Sequence, residues 1–165
     1  MIEVVIRHSK PSDLAGVKSI YEQEHAYSNS VQLPYPSDAY WESNLGNTSD
    51  NKISLVAVAG NDIAGQLTLI VSERPRRKHV ATLGMGVLKK YTRNGIGSKL
   101  VTAALDLADN WLRIRRIELE VYSDNESAIN LYKKFSFEVE GECRQYAFKN
   151  GHFVDALIMA RFTDN

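Results

Sequence analysis

Cysteine is almost absent from this chain: Cys143 is the only one. An internal disulfide and a cysteine-based metal cluster are thereby excluded, and a cytosolic protein is the simplest expectation. His8, His79 and His152 lack ligand spacing with any cluster, so no metal site is expected. Charge of one sign is also missing, since twenty basic residues balance twenty acidic ones. That balance argues against a dedicated nucleic-acid binder while leaving room for a local basic site. No apolar run approaches the roughly 18 residues of a membrane helix, so no membrane partner is expected. Met1 to Ile6 carries Glu3 inside a short alternating run, which suits a strand and not a signal peptide. Internal repeats, low-complexity tracts and linkers are lacking too. At 165 residues the chain suits one domain, 1–165, with a full core.

What is present concentrates between Gly84 and Leu107: an apolar strand, a basic turn with Gly95 and Gly97, and a helix from Ser98 onward. Glycine amides with no side chain in front of them, together with the unpaired N–H groups of a helix's first turn, make a cradle for an anion. Lys89, Lys90, Arg93 and Lys99 add charge there. An ordinary strand-to-helix connection reads equally well from two glycines alone. A Walker loop is excluded because the order is Gly97-Ser98-Lys99. A dinucleotide fingerprint is excluded because Leu100 stands where its third glycine belongs.

Along the chain, residues 2 to 8 alternate as a strand, and Pro11 opens a helix with Leu14, Val17, Ile20 and Tyr21 at helical spacing and Asp13 in its first turn. Glu22 to Pro36 loses this period and reads as a polar, aromatic loop able to line a site. Ser37 or Asp38 caps a short helix bearing Tyr40, Trp41 and Leu45 and ended at Gly46, and Asn47 to Asn51 is a polar turn. Ile53 to Ala59 and Ile63 to Val71 form a hairpin about Gly60-Asn61-Asp62. The dense basic turn Arg74 to His79 leads into the strand Val80 to Leu88, and its default reading is a solvated loop. Ile96, Leu100, Ala104, Leu107 and Trp111 mark the buried face of the long helix. Arg116 to Tyr122 is a strand, and Ser123 with Glu126 has capping-box spacing before a helix striped by Ala128, Leu131, Tyr132 and Phe135. Phe137 to Val139, Arg144 to Phe148 and Phe153 to Phe162 are closing strands. The expected class is α/β, a mixed sheet with helices on both faces.

Two segments taken together are far more specific. Val87 followed by Gly95-Ile96-Gly97-Ser98-Lys99-Leu100, then Asn125, Ala128, Leu131-Tyr132, Lys134, Phe137 and Gly141, resembles the GNAT superfamily of acyl-CoA-dependent N-acetyltransferases. Arg74-Pro75-Arg76-Arg77, Asp109 to Arg113, and Tyr146-Ala147 through Asn150-Gly151 to Val154-Asp155-Ala156 are similar to its RimI/YhhY-type branch. The resemblance implies a mostly antiparallel central sheet and acetyl-CoA as cosubstrate. By matched position it places Met85, Gly86 and Val87 along the pantetheine arm, and Arg93, Asn94, Gly95, Ile96, Gly97 and Ser98 around the pyrophosphate. Asn125 then contacts the cofactor arm, caps its helix, or does both. The chain departs from the pattern at Thr92, where Arg or Gln is usual, and at Ser136, where the family has glycine.

Acetyl transfer from a thioester to an amine needs a neutral amine, a polarised carbonyl and a proton for the leaving thiolate. An alkylammonium with a pKa near lysine's, about 10.4, requires a base at neutral pH. The resemblance makes Tyr132 the proton donor, whereas its apolar stripe alone makes it core. A backbone N–H around Gly86 to Leu88 would polarise the carbonyl. Glu24, His25 and Glu120 are the candidate bases, and the residues do not choose among them. The implied acceptor is a free amino acid or related small amine; a protein N-terminus or lysine, and a non-catalytic acyl-CoA-binding module, remain alternatives. No covalent intermediate is expected. A homodimer through the closing strands is a family-level expectation.

Overall fold

The computed structural model describes residues 2–45 and 49–164, so the expected helix stop at Gly46 and part of the turn after it lie outside the described residues. Seven strands form one sheet: β1 (Val4–His8), β2 (Lys52–Ala59), β3 (Asp62–Val71), β4 (Val80–Val87), β5 (Arg116–Tyr122), β6 (Glu138–Lys149) and β7 (His152–Phe162). Their spatial order is β1-β2-β3-β4-β5-β7-β6. Every neighbouring pair is antiparallel except β4 and β5. The mixed, mostly antiparallel α/β architecture is as expected.

Strand side chains alternate between faces, and the two faces of this sheet meet different helices. On one face Leu55, Leu67, Leu69, Leu83, Ile117 and Leu119 pack beneath α4 (Ile96–Asn110) and α5 (Glu126–Lys134) as the main core. The other face lies under α1 (Leu14–Tyr21), α2 (Glu24–Tyr27) and α3 (Asp38–Leu45).

Several local expectations change. The helix opened by Pro11 begins as a 3-10 turn with Asp13 in its first turn; the Asp13 carboxylate accepts from the Lys10 amide at that N-terminus and from both Nη atoms of Arg7, fastening β1 to the turn. The Glu22–Pro36 loop contains α2. Trp111 does not lie on the buried face of α4; it follows the helix's last residue and is 76% exposed, because its amide and that of Leu112 both close onto the Leu107 carbonyl. Phe137 belongs to no strand, and the expected strands at 137–139 and 144–148 belong to the single β6, interrupted by irregularities at Val139/Gly141 and Cys143/Ala147. Bulges of this kind bend a strand and turn individual side chains.

Candidate active site

The site exists because β4 and β5 part company. They pair only at Val80–Arg116, Ala81–Ile117 and Thr82–Glu118. Beyond these positions the strands splay and leave a cleft of about 1580 Å³. Its β4 wall is a strand edge without a partner strand. Ser72 donates to the Val80 carbonyl and the Leu88 amide donates to the Ala64 carbonyl, so the even-numbered positions on this line point their backbone groups at β3. By the two-residue period of a strand, Leu83, Met85 and Val87 point theirs into the gap. The Val87 carbonyl indeed accepts from His25 Nε2 at 2.8 Å.

This sharpens two expectations. The free amides for an extended ligand or for carbonyl polarisation belong to Met85 and Val87, while that of Leu88 is already engaged. Gly86 serves through its missing side chain: a Cβ there would meet Tyr21 Cε1 at 2.8 Å.

Next comes the glycine turn. Gly95 is the N-cap of α4 at φ +76°, so the helix starts at Ile96, two residues earlier than expected. No side chain caps this end, and the first-turn amides face outward with their partial positive charge. A Cβ on Gly95 would meet open space, so glycine is needed there for its backbone angle. Gly97 has a different reason: a Cβ would lie 3.1 Å from both Leu131 Cδ2 and Met85 Cε. Of the four cations expected here, Lys90 is tied to Asp62 and Lys99 faces a separate shallow pocket beside β1. Arg93 lines the cleft, joined by Lys134. The amide cradle, the unpaired strand edge and these cations suit an extended ligand that carries amides and a pyrophosphate. Among the expected cofactor-binding residues Asn94 alone does not line the cleft; it is exposed and donates to the Thr92 carbonyl.

Across the gap stands α5. Asn125, not Ser123, is its N-cap, accepting from the Ala128 amide at 3.3 Å. Its far end closes with Phe137 N–H on the Tyr132 carbonyl and Ser136 N–H on the Lys133 carbonyl, the Schellman arrangement. Ser136 occupies the position that calls for glycine, at φ +66°. The hydrophobic contact of the motif is Tyr132 against Phe137, with ring centroids 5.6 Å apart. The cap therefore orients Tyr132, which is 6% exposed and lines the cleft. Burial pushes its phenol up to about 12. It stays protonated at neutral pH and can act there only as a donor.

The other face of the cleft is built by residues far apart in sequence. Gln23 Oε1 accepts from the Lys89 amide, His25 holds Val87, and Tyr122 Oη donates to the Ser30 carbonyl at 2.6 Å. These bonds drape the α1–α3 connection over the cleft mouth. Tyr21 donates to Gln66 Oε1 at 2.6 Å and stacks on Trp41. Of the three base candidates, Glu24 does not line the cleft. His25 lines it, but Nε2 must carry the proton to reach a carbonyl, and the remaining Nδ1 is buried without a partner. Glu120 lines the cleft and is exposed, accepting from Tyr146 Oη at 3.0 Å. Tyr146 is a cleft residue that sequence reasoning misses: the break in β6 reads as a gap between two strands, and nothing in it says which way Tyr146 turns. Burial, and secondarily Glu120, push its phenol up to about 12.

Comparison with known proteins places this sequence in a family. The pattern of the Acetyltransferase (GNAT) family covers residues 17–137. The L-amino acid N-acetyltransferase AaaT of Escherichia coli K12 is 44% identical over 161 residues, spanning 98% of this chain and 99% of that protein. This chain belongs to the GNAT family. It is an N-acetyltransferase of a family that uses acetyl-CoA. The spermidine N(1)-acetyltransferase of Escherichia coli K12 is 28% identical over 142 residues, spanning 86% of this chain and 72% of that protein. An acetyltransferase of the GNAT family from Streptococcus pneumoniae has the same fold, with a TM-score of 0.82 at 29% identity, over 98% of this chain and all of that one. In this acetyltransferase no helix among the described residues is long and apolar enough to cross a membrane.

Proposed function

We propose that this acetyltransferase moves the acetyl group of acetyl-CoA directly to the α-amine of a free L-amino acid. The reading is carried by the β4–β5 divergence, which sets the Met85 backbone groups and the Val87 amide, without a partner strand, between the α4 N-terminus and Tyr132. The amino acid as acceptor follows the 44% identical relative. Acetyl-CoA supplies an activated thioester; all else falls to the protein. Met85 and Val87 extend the sheet with the pantetheine amides. Gly95, Ile96, Gly97 and Ser98, with Arg93 and Lys134, receive the pyrophosphate, and Asn125 flanks the arm. An amide of Met85 or Val87 stabilises negative charge developing on the carbonyl oxygen. Glu120 takes the ammonium proton, directly or through water, so that the nitrogen lone pair is free to form the C–N bond. As the C–S bond breaks, the Tyr132 phenol hands its proton to the departing sulfur.

Acetyl-CoA titration into a thermal melt, followed by a thiol-release screen of amino acids, polyamines and peptides, tests this. Binding to the native state must raise the Tm, and amino acids must turn over best. An unmoved Tm at millimolar acetyl-CoA overturns the cofactor assignment, and preferential turnover of peptides or polyamines overturns the acceptor assignment.

A further inference from the structure

Resting on that reading, the acceptor face of the cleft assigns a residue to the amino acid's carboxylate. We infer that Lys52, with the indole N–H of Trp41, forms a carboxylate-recognition site in the acceptor cavity, and that it makes the enzyme select free acids over amides and polyamines.

The argument starts from strand register. Lys52 pairs with Ile70, Ile70 with Thr82, and Thr82 with Glu118, so these four residues form one row across β2, β3, β4 and β5. All four line the cleft. The row has a cation at one end and a carboxylate at the other, about 14 Å apart between Cα atoms at sheet spacing. Between them the floor is low. Thr82 and Gly84 are exposed, and a Cβ on Gly84 would meet nothing within 4 Å.

The charges at the two ends differ in how they are satisfied. At the β5 end Glu118 accepts from Arg77 and Arg116, and Arg116 also grips Glu140 with both Nη atoms. Those charges neutralise one another and leave Glu120 as the carboxylate without a cation. At the β2 end Lys52 has no carboxylate partner among the described residues. Its Nζ donates to the Asn44 carbonyl at 2.5 Å, on α3. The other cations lining the cleft are Arg116, already spent on glutamates, and Arg93 and Lys134 beside the pyrophosphate cradle.

A second, independent observation falls in the same corner. Trp41 precedes Asn44 by three residues, and so shares its side of α3. The residue is 2% exposed, yet its Nε1 has no hydrogen-bond partner. An indole N–H is a donor only, so what it lacks is an acceptor. A buried donor without one is destabilising, and a ligand oxygen brought against α3 would relieve that cost. Trp41 is held in place by its stack on Tyr21 and by the pairing of Lys18 with Asp38 at the start of α3.

The cavity therefore offers a cation and an N–H donor at the α3 end and a free carboxylate, Glu120, at the β5 end. An α-amino acid is a zwitterion of this polarity. Because its amine and carboxylate lie only about 3 Å apart, the long Lys52 side chain must lean across Ile70 toward β4 to meet the carboxylate while the amine stays at the gap by Glu120 and Tyr132. A polyamine would place a second ammonium against Lys52, and the like charges penalise it.

The test compares turnover of one L-amino acid and its α-carboxamide, at saturating acetyl-CoA, in the wild type, Lys52→Met and Trp41→Phe. The wild type should prefer the free acid by about 10- to 100-fold in kcat/KM. Lys52→Met should raise the KM for the acid, leave the KM for acetyl-CoA unchanged and abolish the preference, and Lys52→Arg should restore part of it. Trp41→Phe keeps the stack and removes the N–H, and should erode the preference several-fold. It reads the same site even if Lys52→Met fails to fold. Equal turnover of acid and amide by the wild type, or an unchanged preference in both variants, overturns the carboxylate site while leaving amino-acid acetylation intact. Absence of amino-acid turnover with acetyl-CoA bound overturns the acceptor reading itself, and this site with it.

Discussion

The two halves of the cleft are made in different ways. The half proposed for the cofactor is built from backbone: strand-edge groups of Met85 and Val87, and helix amides after Gly95. The half proposed for the acceptor is built from side chains that arrive from β2, α3, β5 and β6, namely Lys52, Trp41, Glu120 and Tyr146. A backbone site demands glycines at fixed positions in one stretch. A side-chain site demands only that distant residues meet, and many sequences satisfy that demand without a local signature.

The largest effect expected from testing this contrast lies between the halves. Tyr132→Phe should lower kcat by about 10- to 1000-fold with little change in either KM, since the ring packing on Phe137 survives and only the proton is lost. Unchanged turnover removes Tyr132 from the chemistry. On the acceptor side, Glu120→Gln should lower kcat by about 10- to 100-fold at neutral pH. That loss should shrink as pH rises toward about 10, where the amine loses its own proton. A loss independent of pH would assign Glu120 to binding. On the cofactor side, Gly95→Ala should raise the KM for acetyl-CoA several-fold and leave the KM for the amino acid alone, because a Cβ at φ +76° costs about 1 kcal/mol of local backbone strain. Parallel changes in both KM values would dissolve the division into halves. The smallest effect is a gain: Ser136→Gly relieves the left-handed angle at the α5 cap and should add about 0.5–1 kcal/mol of stability in a denaturant melt. A loss of stability would mean that the hydroxyl contributes more than the backbone angle costs.

The same contrast explains what was legible in advance. The hairpin at Gly60-Asn61-Asp62, the apolar face of α4 up to Leu107 and the turn at Gly95 and Gly97 could be read because each is a local pattern of turn chemistry or period. Trp111 was misplaced because it extends the helical period by one step, and period alone does not say where the last carbonyl is capped. The short helix α2 carries too few residues to show a period. The bulged β6 looked like two strands because the interrupted alternation at Gly141 and Gln145 mimics a turn. Asp13 sits in the first turn as its position suggests, but its pairing with Arg7 on β1 depends on how strand and turn pack and could not be read from the helical period.

The sequence by itself determined the glycine turn proposed as the cofactor cradle, since a left-handed angle at Gly95 and close packing at Gly97 each require the residue written there. Tyr132 as proton donor came from the family resemblance, because its place in the α5 stripe alone reads as core. Only the tertiary structure decided which backbone groups are free, because the splaying of β4 from β5 is a property of two strands 36 residues apart in chain order, from Val80 to Arg116. Tertiary structure alone, too, placed Lys52 and Glu118 at opposite ends of one row. Their meeting depends on three successive strand registers, and no short stretch of chain records those.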